Sequence, residues 1–99
     1  MLPGKPYVRR ISSEEAREGY VLVLKSRLSF FPPIGEPFEI ACGRRTHKGE
    51  VESVACACRG PDKPHEHYLL RWGGLRARDR ITIDRDPREH GKYLLIITS

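Results

Sequence analysis

A mainly β fold, either a small antiparallel β-barrel or a compact sandwich of five to six strands with one short N-terminal helix, is what this 99-residue sequence predicts. Three observations carry the prediction. Short runs rich in Val, Ile, Leu, Tyr and Phe recur between Gly- or Pro-bearing turn signals about every 8 to 15 residues. Neither an internal repeat nor an alternating strand–helix pattern is present, which removes solenoid and parallel-sheet architectures. Helix-capping chemistry occurs at one place only, over a segment of one or two turns.

The length suits one domain, residues 1–99, with a single core that buries roughly two-thirds of the unfolded surface. Apolar residues make up 38% and charged residues 31%, with a mean hydropathy of −0.53, a balance that suits a globular chain rather than a membrane or disordered one. No apolar run reaches the ~18 residues of a spanning helix, and Met1 to Tyr7 lacks the apolar centre of a signal peptide. The expectation is a cytoplasmic protein with no membrane partner. Asn and Gln are absent, Met occurs once and Pro eight times, a thermophile-like composition.

From Met1 to Ile11 the segment is Pro-rich and basic and reads as an extended arm or a loosely docked first strand. Ser12 to Gly19 then places Ser before an acidic first turn and Gly at the stop, which is a capping-box helix. Tyr20 to Leu24 is a continuous β-prone run and predicts a strand buried on both faces. Phe30 to Pro37, with three prolines, predicts a rigid loop; at most one of the adjacent Phe30 and Phe31 can be exposed as a stacking group, because neighbours on an extended chain point apart. Phe38, Ile40 and Cys42 form the core-facing set of the next strand.

Gly43 to Gly49 reads as a loop carrying Arg44, Arg45, His47 and Lys48, the densest basic patch in the chain. Glu50–Cys58 and His65–Trp72 read as a hairpin around a Gly-Pro-Asp turn. Setting Cys58 opposite His65 pairs Cys56 with His67, Val54 with Leu69 and Glu52 with Arg71. Gly73 to Arg80 leads into a strand with Ile81 and Ile83 inward, and Arg76, Arg78 and Arg80 share a parity, so an extended segment would line them along one edge. Setting Asp84 opposite Lys92 pairs Ile83 with Tyr93 and Ile81 with Leu95 in a final hairpin. The Gly-Leu that precedes Asp-Arg-Ile-Thr-Ile in this layout is loosely similar to the barrel domains that follow the GTPase domain of translation elongation factors; the resemblance implies a barrel and no site.

Two chemistries follow. Lys plus Arg is 18 against 13 Asp plus Glu, giving a net charge of +5 and an isoelectric point near 9.4, which favours an anionic partner. The leading expectation is non-catalytic binding of nucleic acid, RNA or DNA, with Arg44, Arg45, Lys48, Arg76, Arg78 and Arg80 on phosphates and Phe31 or Trp72 as stacking groups. The alternative is a zinc-supported protein-interaction module whose partner has an acidic surface. The hairpin register gathers Cys56, Cys58, His65 and His67 on one face, and two thiolates with two imidazoles make a structural zinc composition, with copper as the other soft candidate. The cofactor is thus none or zinc, and a competing reading leaves both thiols under the barrel and the imidazoles at its rim. A Cys–His enzyme is the third class, since a base beside a thiol is the requirement for a thiol nucleophile. The ligand spacing of the cupins and the Pro-Cys-x-x-Cys of the zinc deaminases are both missing.

Overall fold

A computed structural model of the chain describes residues 5–56, 65–89 and 91–98. Eight strands lie in two sheets: β1 (Tyr7–Arg10), β2 (Tyr20–Val23), β3 (Phe38–Cys42), β4 (Arg45–Gly49), β5 (Val51–Cys56), β6 (His65–Arg71), β7 (Arg80–Arg85) and β8 (Lys92–Thr98). The larger sheet has the order β1-β7-β8-β3-β4 and the smaller β2-β6-β5. The fold is thus mainly β as expected, in two open sheets, and the pairing is antiparallel except between β3 and β8. Helix α1 (Ser13–Glu18) and a 3₁₀ helix (Lys25–Phe30) flank β2.

Local chemistry explains α1. The Ser12 hydroxyl accepts from the Glu15 amide while the Glu15 carboxylate accepts from the Ser12 amide, and Gly19 closes the helix in the left-handed conformation at φ 78°. Tyr7 and Ile11, each 2% exposed, anchor β1 in the core. Of the two readings of this segment, arm or first strand, the strand holds over Tyr7–Arg10, which is an edge strand paired along its length with β7.

The core is the space between the sheets. Ile81, Ile83, Leu95 and Ile40 from the larger sheet face Val21, Val23, Val51 and Leu70 from the smaller one, all buried. At one end it closes with rings: Tyr93 lies 4.9 Å from Phe38 and 5.6 Å from Phe30, centroid to centroid. Phe30 and Phe31 are 4% and 5% exposed, so both belong to the core. The expected opposition of neighbours fails because Phe30 ends the 3₁₀ helix and only Phe31 has extended backbone. Phe31 is thereby removed as a stacking group. In β2, Val21 and Val23 are buried while Tyr20 and Leu22 are half-exposed, so the strand is covered on one face and not on both.

Both expected hairpin registers are off by two residues. Cys56 stands opposite His65, Val54 opposite His67 and Val51 opposite Leu70. In the last hairpin Ile83 stands opposite Leu95 and Ile81 opposite Ile97. A shift of two leaves every side chain on its own face, so the apolar pattern cannot detect it. Packing decides instead: the observed register sets Val51 and Leu70 side by side, and Leu70 also meets Val21 on β2, all three fully buried. Glu52 still reaches Arg71, diagonally, at 3.2 Å. The part of the expected hairpin that involves Cys58 lies outside the described residues.

Candidate nucleic-acid interface

The segment read as a basic loop is a tight turn at Gly43–Arg44, with Gly43 at φ 64°, followed by strand β4, the edge of the larger sheet. On β4 the residues Arg45 to Lys48 are all exposed. His47 stands across from Ile40 and Arg45 from Cys42. The His47 ring meets the half-buried Trp72 edge-on at 4.9 Å. Arg45, His47, Lys48, Arg71, Trp72 and Gly73 line a cleft of about 360 Å³ that has no carboxylate in its wall. Trp72 is held there because its amide donates to the Gly19 carbonyl at 3.0 Å, while its ring packs partly against the core.

Arg76, Arg78 and Arg80 do not share an edge. The chain turns at 77–78, and Arg78 takes φ 76°, a left-handed conformation that breaks the alternation an extended segment would need. Two bonds hold this turn: the Arg78 amide donates to Ile11 O at 2.7 Å and the Arg76 amide to a carboxylate oxygen of Asp79 at 2.9 Å. Arg80 opens β7, where it faces Arg10 on β1 and Thr98 on β8.

Topology nonetheless gathers these groups. β3 runs parallel to β8 and β1 also ends where β8 ends, so the Gly43–Arg44 turn, Arg10, Arg80 and the 76–79 turn all lie at one end of the larger sheet. Those segments place Arg10, Arg44, Arg45, Arg76, Arg78 and Arg80 at that end, from edge strand β1 across to edge strand β4. Asp79 is their single carboxylate, and it is 7% exposed and turned to the Arg76 amide. Lys48 is placed differently, opposite Glu39 toward the other end of the sheet. The reading of residues 1–11 as an arm hid Arg10; the alternation of buried Tyr7 and Ile11 with exposed Val8 and Arg10 was the available signal. Arg71 was assigned to Glu52 alone, although it also lines the Trp72 cleft.

A larger cleft, about 600 Å³, lies elsewhere, between α1 and the outer face of the smaller sheet, over Leu22, Val54 and Leu69. Glu14, Glu15 and Glu18 stand in its wall. Burial, then the Glu14 carboxylate, pushes the Tyr20 phenol above its ordinary range there. Arg9 and Arg71 stand there too, but three carboxylates against these two guanidiniums suit the cleft less well to phosphate than the one beside Trp72.

Of the expected metal ligands, Cys58 and the side chains of Cys56 and His65 lie outside the described residues, and His67 is half-buried beside Leu69 on the outer face of the smaller sheet. Among the described residues no three His, Cys, Asp or Glu side chains come together to hold an ion. No helix among them is long and apolar enough to cross a membrane.

No protein-family model matches the sequence and no curated protein is similar to it. The fold does have a counterpart of known structure: the chain is similar to that of an Arabidopsis FUS3–DNA complex, with a TM-score of 0.72 and 14% identity over 94% of this chain and 95% of the other. At that identity the likeness establishes a shared fold.

Proposed function

We propose that this chain is a nucleic-acid-binding module that holds the phosphate backbone of duplex DNA against the arginine-rich end of its larger sheet. One observation carries the reading: six arginines from three separate segments lie at one end of a sheet, and the single carboxylate among them is turned inward. Arg44, Arg45, Arg76, Arg78 and Arg80 contact phosphates, Lys48 adds charge at the flank, and Trp72 offers a ring beside Arg45 and Arg71. The shared fold with a chain solved in complex with DNA supports the choice of DNA over RNA.

The test is fluorescence anisotropy with a labelled 20-base-pair duplex over a range of salt concentrations. Affinity should fall steeply, with log K against log salt sloping by about −0.9 for each phosphate neutralised, and Arg44→Ala with Arg45→Ala should make that slope shallower by about two. No binding, or affinity indifferent to salt, removes the proposal. Tighter binding to single-stranded RNA than to the duplex would redirect it.

A second reading has the central hairpin in its favour. Backbone pairing sets Cys56 opposite His65, with His67 two residues further along the same strand, so a thiol and an imidazole share one rung of the ladder. In this reading Cys56, Cys58, His65 and His67 hold zinc and stiffen the hairpin for docking to a protein. Metal analysis of the purified protein should then give one zinc per chain, and chelation should lower its melting temperature. Metal-free protein whose melting does not respond to chelator overturns it.

A further inference from the structure

The outer face of the larger sheet carries a band of uncharged side chains that nothing in the described chain covers. Registers place Val8, Thr82 and Ile96 in one row across β1, β7 and β8, and Leu94, Ala41 and Thr46 in the row spanning β8, β3 and β4. Val8 is 48% and Ile96 61% exposed. A row of β-branched residues at the centre of a sheet face is the composition of a buried layer, and here it meets solvent.

Charge brackets this band asymmetrically along β7. Arg80 lies two residues before Thr82 and Asp84 two residues after it, so all three share the outer face. Arg80 and Asp84 are exposed and form no ion pair within the chain among the described residues. If two copies meet face to face about a two-fold axis that runs along the Thr82–Ile96 row, β1, β7 and β8 each lie over their own reversed copies. Arg80 then falls over Asp84 of the other copy, twice, while Val8, Thr82 and Ile96 each meet themselves. Such self-complementarity is the requirement of an isologous interface. Turning the axis parallel to the strands would set Arg80 beside Arg80, so the charges select one arrangement.

We infer that this face is a homodimer interface, closed by the apolar band and by two reciprocal Arg80–Asp84 pairs. The three overlapping strands, ~4.8 Å apart and up to seven residues long, span roughly 300 Å² of sheet plane per copy. That is below the size usual for stable association, so the dimer is a weak one that dissociates at high micromolar concentration or above. The interface leaves the Gly43–Arg44 and 76–78 turns at opposite ends of the pair. Arg80 is common to this inference and the nucleic-acid reading, so the test uses no nucleic acid and the two can fail separately.

The test is sedimentation velocity on the full chain from about 5 µM to 1 mM at low salt. The expected result is a monomer that converts to a dimer as concentration rises. Ile96→Lys, at an exposed position that leaves the core untouched, should weaken association at least tenfold with an unchanged circular dichroism spectrum. Arg80→Asp and Asp84→Arg should each weaken it by like-charge contact across the axis, and the double variant should recover it. A monomer throughout, association unaffected by Ile96→Lys, or a double variant no better than either single one overturns the inference.

Discussion

The guanidinium of Arg9 and the carboxylate of Glu15 share two hydrogen bonds, of 2.8 and 2.9 Å, where the edge strand of the larger sheet meets helix α1. The same carboxylate accepts from the Leu22 amide at 2.7 Å, on the free edge of the smaller sheet. One buried side chain, 1% exposed, thus ties α1, β1 and β2 together. Glu15→Ala would strip the partner from Arg9 and leave the Leu22 amide unsatisfied. The expected loss is about 3 to 5 kcal/mol, because breaking a buried pair from one side strands the other charge. Urea unfolding measures it, and a change below about 1 kcal/mol would contradict this account.

The same group sets an acid limit. Burial pushes the Glu15 carboxyl up, but the bonds from Arg9, the Leu22 amide and Ser12 outweigh it and hold the group below its ordinary value. A carboxyl depressed in the folded state stabilises the fold fully above its unfolded value of about 4.3, and that stabilisation is lost as pH falls through the lower folded value. The urea midpoint should therefore fall below about pH 4. In Glu15→Gln that fall should be smaller, since the variant has no proton to gain at the site. Parallel pH profiles for the two proteins would refute the assignment.

Tyr7 joins the sheets with its hydroxyl, which donates to Leu22 O at 2.6 Å and accepts from the Leu24 amide at 3.1 Å. Two backbone groups of a strand edge thus find partners without a neighbouring strand. Tyr7→Phe keeps the ring and orphans both, at an expected cost of about 1 to 3 kcal/mol. Hydrogen exchange at the Leu24 amide should quicken more than at Val21. Equal change at both sites would show a general loosening instead.

Gly49 sits where β4 hands over to β5, and a Cβ there would come within 3.0 Å of Ile40 Cδ1 and 3.1 Å of Leu70 Cδ1. Both neighbours are locked in the core, at 1% and 0% exposure. Gly49→Ala should therefore destabilise by roughly 1 to 3 kcal/mol through overpacking, although alanine is normally the better strand residue of the two. Thermal melting checks the sign: a melting temperature at or above that of the parent chain would show that the core has room.

The exposed Glu52–Arg71 pair makes the contrast. Its atoms lie 3.2 Å apart, but the side chains are 35% and 60% exposed. Glu52→Ala should change stability by no more than about 0.5 kcal/mol. A larger loss would mean that the pair fixes the β5–β6 register.

Much of this molecule was legible before folding. The capping box at Ser12 and Glu15, the stop at Gly19, the turn at Gly43 and the core-facing sets of β3, β7 and β8 depend on neighbours within a few residues, so local chemistry and alternation suffice to read them. The arginines could likewise be counted, and their sum pointed to an anionic partner. Tertiary structure decided the rest. Alternation has a period of two and cannot tell a register from one shifted by two, so only the meeting of Val51, Leu70 and Val21 set the β5–β6 ladder. The 3₁₀ helix turned Phe30 and Phe31 both inward because an aromatic cluster from distant segments was there to receive them. Arg10, Arg44 and Arg80 are far apart along the chain, and they share one end of a sheet because β3 runs parallel to β8 while β1 runs antiparallel to β7. Strand order depends on contacts between residues tens of positions apart, which periodicity does not encode.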